Sequence, residues 1–464
     1  MTIPEWVQDA IFYQIFPDRF ANGDHRNDPA NVLAWEASPT NSGFHGGDLQ
    51  GIIQKFDYFL DLGINAIYLN PIFLSPSNHR YNTTDYYQID PKLGTMKEFQ
   101  VLVELAHKNN IHIILDGVFN HCGRGFFAFN DILENQQHSP YKNWFHILHF
   151  PIDAYSSKDR HDYLSWWNIK NLPKLNIANP QTRRYILEVA RFWIQRGADG
   201  WRLDVPIEID DDQFWNEFRA VVKSTNSEAY LLGEIWEANP RWIGDHHFDG
   251  LMNYPVREAL LHCFSGKMKV STFSEKIEKI LNLYPPENML VMYSLLGSHD
   301  TERIATLLSG DQRKLELAFL FEFAYPGTPA IYYGDEIGMS GGKDPDNRRT
   351  FPWEDYQTNI GLRSWVQALI KTRKSSKALR RGKYQHIFAD DGMSCFAFAR
   401  IYEDEQILVL MNLGQTVWHL EIPVGLLGWN DGKVINNILG DGEYIVSGGL
   451  IKLALPAFKG MYLT

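Results

Sequence analysis

The feature that most constrains this chain is an alternation. From about residue 10 to residue 336, short runs of β-prone apolar residues take turns with longer stretches whose apolar residues recur at helical spacing. Repeated βα units of this kind build a parallel sheet covered by helices. Eight runs read as strands: AIFYQIF near 10 to 16, AIYLNP near 66 to 71, HIILDGVFNH near 112 to 121, GWRLDV near 200 to 205, YLLGEIW near 230 to 236, FDGLMNY near 248 to 254, MYSLLGSHD near 292 to 300 and PAIYYGDE near 329 to 336. Between them, FQVLVELAHKNN and RRYILEVARFWIQR place apolar residues at i, i+3, i+4 and i+7, as helices packed on a sheet require. Eight such units predict a (β/α)8 TIM barrel.

Two regions break the pattern. After Asn120 and His121 the chain runs to about Asn179 before the next clear helix, which predicts a subdomain B inserted after strand 3, over residues 122–179. From Lys383 the period becomes two, as in CFAFARIY and ILVLMNLG, which predicts a C-terminal antiparallel β domain over 383–464. The barrel then takes residues 1–121 and 180–382. A formal charge of -12 and the lack of any Lys/Arg run argue against nucleic acid or an acidic membrane as partner. Aromatics at 14% suit flat sugar faces as well as a packed core. Cys122, Cys263 and Cys395 form no CxxC pair, so free thiols in a reducing compartment are expected. The opening MTIPEWVQDAIFYQIF has no leader pattern, and no apolar run reaches the roughly 18 residues of a membrane span. A soluble, cytoplasmic protein is expected.

Barrel active sites gather at the C-terminal ends of the strands. Here Asp116, Asn120 and His121 close the third strand, Arg202 and Asp204 the fourth, Glu234 the fifth, and His299 and Asp300 the seventh. One polar residue at a strand end is ordinarily structural. Several acids at the ends of one barrel are not, because clustered carboxylates repel and raise one another's proton affinity. Glycoside hydrolysis needs such a group, a proton donor for the leaving oxygen and a carboxylate on the other side of the anomeric carbon. Asp204 is expected to attack, and Glu234 to protonate the leaving group and then activate water. Arg202, on the same strand face as Asp204, would keep that carboxylate ionised and oriented. Glu234 has to bring a proton to the first step, which asks for a less polar setting near negative charge. Asp300 is the third carboxylate, and His121 and His299 are candidate donors to sugar hydroxyls.

The segments DGVFNH, GWRLDV, GEIW and GSHD, in that order, resemble the four hallmark segments of the α-amylase family. The resemblance covers essentially the whole chain. It implies Asp204 as nucleophile, Glu234 as acid/base and Asp300 as transition-state stabiliser. Tyr81, in HRYNTTDYY, matches the tyrosine that stacks on the sugar beside the scissile bond.

LPKLN at 172 to 176 is similar to the MPKLN segment of the cyclomaltodextrinase, neopullulanase and maltogenic amylase branch, as are FYQIFPDRFANGD, GGDLQGI and SHDTER. The resemblance implies cyclodextrins, short maltooligosaccharides, pullulan or branched glucans as substrates, with cleavage of α-1,4 and in some members α-1,6 bonds. An α-amylase, an α-1,6-glucosidase or a transglycosylase on the same scaffold is the near alternative, and a non-catalytic glucan-binding protein the remote one. Trp236 matches an acceptor-side residue of the branch, and Asp344 and Arg348 match donor-side sugar contacts. Asn22, Asp24, Asn27, Asp28, Gly46 and Asp48 resemble its structural calcium site, with hard oxygen donors suited to Ca²⁺. The alternative is a turn that uses the same residue types without a metal. Two departures stand out. The chain opens directly on the first barrel strand, where branch members carry an extra β domain, so a more open cleft is expected. After Asp204 it reads VPIE where the branch commonly has VANE, with Ile207 replacing a polar residue.

Overall fold

The structure, a computed structural model, describes residues 3–156, 160–356 and 360–464. All eight predicted runs form strands of one parallel sheet: β1 (Phe12–Ile15), β2 (Ala66–Leu69), β3 (His112–Gly117), β4 (Gly200–Leu203), β5 (Tyr230–Gly233), β6 (Gly250–Leu251), β7 (Tyr293–Leu295) and β8 (Thr328–Tyr332). The neighbours run β6-β5-β4-β3-β2-β1-β8-β7. A parallel bridge from Met252 to Tyr293, with Asn253 N–H donating to Tyr293 O at 2.8 Å, joins the two ends and closes the barrel.

The pleat sorts the side chains. Phe12, Ala66, Tyr68, Ile114, Tyr230, Leu232, Tyr293, Leu295 and Ala330 make one buried cluster, which fills the interior of the barrel. Their strand neighbours Tyr13, Ile67, Leu69, Ile113, Leu115 and Leu231 belong to a larger core between strands and helices. Helix α1 (Met96–Lys108) starts on a capping box in which Thr95 and Glu98 satisfy each other's end of the first turn. It buries Phe99, Leu102, Val103 and Ala106, the stripe read from its sequence. In the segment after β3, the residues FAFNDILEN form helix α2 (Phe127–Asn135), which the sequence reading passed over. No side chain caps its start, and its aromatic residues blur the helical period. The same segment is pinned by antiparallel bridges His121 to Lys174 and Phe145 to Leu175. The next helix, α3 (Pro180–Ile194), is capped by Asn179 and buries Ile186, Val189, Ala190, Trp193 and Ile194.

Beyond Lys383, strands β9 (Lys383–Asp390), β10 (Cys395–Tyr402) and β11 (Glu405–Asn412) form an antiparallel sheet with β12 (Lys459–Leu463). This sheet seats on the helix Gln312–Ala324, where Arg400 Nη1 donates to Ala324 O and Tyr462 OH to Leu320 O. Among the described residues no helix is long and apolar enough to cross a membrane. All three cysteines are free and buried.

Candidate active site

The inward face of the strands turns from apolar to polar toward their C-terminal ends. Phe12 is followed on that face by Gln14, Ala66 by Tyr68 and Asn70, Ile114 by Asp116, Gly200 by Arg202 and Asp204, and Leu232 by Glu234. The β3–β4 register sets Asp116 opposite Arg202. Steps of two residues therefore lift acids and their counter-charge onto one floor, the place where barrel chemistry is done.

Arg202, fully buried, is the hub of that floor. Its Nη1 lies 2.9 Å from Asp116 Oδ1 and 3.0 Å from Asp204 Oδ1, and its Nη2 lies 3.0 Å from Glu234 Oε2 and 3.9 Å from Asp300 Oδ2. Removing this cation would strand several buried carboxylates, at a cost of about 3 to 5 kcal/mol for a broken buried pair. Asp116 also accepts from Tyr68 OH and from Tyr81 OH, the latter at 2.8 Å. It anchors Arg202 from below.

The single cation does not keep Asp204 in the ordinary carboxylate range. Burial pushes its carboxyl well above that range, Arg202 opposes the shift, and Glu234, Asp116 and Asp300 add to it. Burial, then the charge of Glu234, raises Asp300 to about 7, against Arg202 and Arg348. Arg202 reaches Asp204, the carboxylate it was expected to hold, and is divided among three further acids besides. Asp204 and Asp300 are thus both raised by burial and by neighbouring negative charge. Glu234 differs from expectation as well. Its setting is polar: Oε2 accepts from Val205 N–H at 2.9 Å and faces Arg202, and Oε1 accepts from Trp236 Nε1 at 3.1 Å.

Tyr81 donates to Asp116, accepts from Asn70 Nδ2 at 3.0 Å and shares a hydrogen bond with His299 Nε2. Its ring lies parallel to that of His299, centroids 5.4 Å apart. His299 Nδ1 meets Gln14 Nε2 at 2.9 Å, and Nε2 also lies 3.1 Å from Asp300. Both ring nitrogens thus have protein partners, so His299 is a strut of the network before it is a sugar donor. Burial, with Arg202 and Arg348, pushes it well below the usual imidazole range. His121, the other expected sugar donor, is placed differently. It is buried, its Nε2 has no partner, burial lowers it to about 3, and Trp166 lies along its ring at 5.3 Å. Arg348 donates through Nε to His299 O at 2.9 Å and sits 3.1 Å from Asp344 and 3.6 Å from Asp300. Asp344 is half-exposed at the rim. Trp236 stacks on Tyr254 at 3.8 Å and 8° with about half its surface open.

Sequence reasoning missed Gln14, Tyr68, Asn70 and Tyr254. The first three carried a signal, since each stands two residues beyond an inward apolar residue. Tyr254 opens a helix and carried none.

Of the residues expected to form a calcium site, Asn22 and Asp28 lie against Gly46, and Asn27 lies against Asp48. Asn22 Oδ1 and Asn27 Oδ1 are buried without a partner. Their amides donate instead to Asp28 Oδ1 at 2.8 Å and Asp48 Oδ2 at 2.9 Å. Gly46 has φ +81, and a Cβ there would come 2.3 Å from Asp28 Oδ1 and 2.4 Å from Asn22 Nδ2. Two idle amide oxygens and two carboxylates around one glycine fit a hard cation. Asp24 points its carboxylate at Arg26. Among the described residues no cluster of three or more His, Cys, Asp or Glu could hold a metal, so amide oxygens must complete any such site.

A barrel that sets three carboxylates around one buried arginine at the C-terminal ends of β4, β5 and β7 has the apparatus of a glycoside hydrolase. A sequence model of the α-amylase family, described as "Alpha amylase, catalytic domain", matches residues 14–384, and the chain belongs to that family. It is a glycoside hydrolase acting on α-glucans. A cyclomaltodextrinase of Geobacillus thermopakistaniensis is 42% identical over 98% of this chain and 76% of its own length. Among solved structures, a cyclic α-maltosyl-(1→6)-maltose hydrolase of Arthrobacter globiformis superposes with TM-score 0.90 at 36% identity, covering 99% of this chain and 100% of that one. A Nostoc punctiforme debranching enzyme superposes with TM-score 0.91 at 40% identity, covering all of both chains.

Proposed function

We propose that the enzyme is a retaining hydrolase of cyclodextrins, maltooligosaccharides, pullulan or branched glucans, cutting α-1,4 and also α-1,6 glucosidic bonds. The observation that carries this reading is the pair of carboxylates on one guanidinium, Asp204 on Nη1 and Glu234 on Nη2. Retention requires two carboxyls about 5 to 5.5 Å apart, too close to admit a water between nucleophile and sugar. In the first step the Asp204 oxygen that Arg202 does not hold forms a bond to the anomeric carbon. The glycosidic C–O bond breaks, and its oxygen takes the proton of Glu234. In the second step water attacks that carbon, gives its proton to Glu234 and releases Asp204. Asp300, bearing on Arg202 and Arg348, stabilises the positive charge that develops on the sugar.

Tyr81 and His121 meet the sugar at the scissile bond, with His299 behind Tyr81. Asp344 and Arg348 hold the donor side. Trp236, with Tyr254 beneath it, gives the acceptor side an open apolar platform, and Ile207, half-exposed, extends it. Calcium, held by Asn22, Asn27, Asp28 and Asp48 around Gly46, stiffens the loop after β1 and takes no part in the chemistry. The divisions at 121, 179 and 382 follow the change from barrel units to the inserted segment and the antiparallel tail. The buried, unpaired thiols support a cytoplasmic setting.

Initial rates on β-cyclodextrin, soluble starch, pullulan and maltotriose, with Asp204→Asn as control, test the reading. Preference for cyclodextrin, pullulan or short oligomers is expected, with the control at least about a thousandfold slower and equally well folded. Preference for starch contradicts the substrate class, and unchanged turnover by the control contradicts the mechanism.

A further inference from the structure

We propose that Val205 is a positioning residue: where its left-handed backbone turns the chain out of β4, its amide N–H is left unpaired by the sheet, meets Glu234 Oε2 and so fixes the working proton on Oε1. The inference rests on the reading of Glu234 as acid/base. Val205 follows Asp204 directly and has φ 35 and ψ 51. A β-branched residue rarely adopts this conformation, and such outliers concentrate at sites where the geometry is used.

The kink is held from both sides. Before it, Asp204 N–H still pairs with Gly117 O at 3.1 Å, as β4 would. After it, Pro206 opens a short turn, and Glu208 N–H returns to Val205 O at 3.0 Å. Lys174 Nζ then grips Glu208 through its backbone oxygen at 2.8 Å and its carboxylate at 3.0 Å. Had β4 run on, parallel pairing would have sent the Val205 amide to a backbone oxygen of β5. Because the kink ends the strand, the amide meets instead the side chain that follows β5, 2.9 Å from Glu234 Oε2.

The consequence is for the proton. Oε2 faces the Val205 N–H and, at 3.0 Å, Arg202 Nη2, and neither group can accept a hydrogen bond. A proton on Oε2 would compete with the Val205 N–H and lie against a cationic guanidinium nitrogen. Oε1 meets one N–H, from Trp236 at 3.1 Å on a half-exposed indole beside the cleft. Oε1 therefore carries the proton that passes to the leaving oxygen, and Oε1 recovers it from water when the sugar is released from Asp204.

Replacing Val205 by 2-hydroxyisovalerate turns its amide into an ester, deleting the N–H and keeping the side chain. We expect kcat/KM on maltotriose to fall roughly tenfold to a hundredfold, the loss of one hydrogen bond to a charged group. On α-maltosyl fluoride, whose leaving group needs little protonation, kcat/KM should stay within about threefold of the parent. A change that merely disturbs folding would lower both. Equal losses on the two substrates, or no loss on either, would overturn the proposal. Glu234→Gln is run alongside, and a failure of that variant to show the selective loss overturns the acid/base reading itself. Neutron diffraction of the unaltered enzyme gives a second answer independent of any variant: a deuteron on Oε1 agrees with the proposal, and one on Oε2 contradicts it.

Discussion

Asp300 shows how a buried carboxylate trades stability for chemistry. Its carboxyl is raised from 3.8 to about 7, by burial first and the charge of Glu234 second. A group whose folded value is raised contributes stability below its unfolded value, and that contribution is lost as pH rises through the folded value. The window here runs from about pH 4 to about pH 7. Asp300→Asn removes the titration, so the variant should melt higher than the parent at pH 8, by roughly 1 to 3 °C, with little difference near pH 4. Thermal unfolding at the two pH values checks this; an advantage confined to low pH would reverse the sign. The same variant should lose most of its turnover, since the strain Asp300 imposes on the resting fold is relieved when charge develops on the sugar.

At the scale of elements, β3, β4 and β5 deliver their polar side chains by steps of two residues from an inward position: Asp116 from Ile114, Arg202 and then Asp204 from Gly200, and Glu234 from Leu232. That rule made Asp116, Arg202, Asp204 and Glu234 legible in the sequence. The eight strands were legible for the same reason, because β-prone runs between amphipathic stretches admit few other topologies. Helix α2 was hidden because its start is uncapped and because Phe127, an aromatic residue, stands exposed beside the buried Ala128, Phe129 and Ile132, which breaks the apolar period. Division of Arg202 among four acids, the polar surroundings of Glu234 and the partners of His299 depend on contacts between residues far apart in the chain, which no local pattern records. Tyr254 belongs with them: it starts the helix Tyr254–Phe264 and underlies Trp236, near the start of the loop after β5. That stack would hold up the acceptor platform proposed for Trp236. Trp236→Ala should raise KM on maltotriose by about threefold to tenfold, the worth of an aromatic contact, and lower kcat as well because the hydrogen bond to Glu234 goes with it. Steady-state kinetics that showed neither effect would remove the platform from the account.

Across the whole molecule, the barrel is closed by strands, sealed below by its own core and braced at one side by the antiparallel tail. Arg400 crosses that seam, and burial lowers its guanidinium to about 9, a cost accepted for donating to Ala324 O and Gly382 O. The loop after β1 is braced differently, by the oxygen cluster around Gly46. If calcium occupies it, chelation should lower the melting temperature by a few degrees and leave the rate of the surviving folded enzyme nearly unchanged, as expected for a ligand of the native state only. Calorimetry with and without chelator decides, and an unchanged melting temperature would favour the metal-free turn. The central claim is that a sugar becomes bonded to Asp204 during turnover. Glu234→Gln protein mixed with α-maltosyl fluoride should form that bond readily and release it slowly, and peptide mass mapping would locate it. A maltosyl adduct on the peptide carrying Asp204 is expected; an adduct on another residue, or fluoride release with inverted product and no adduct, would show that Asp204 is not the nucleophile.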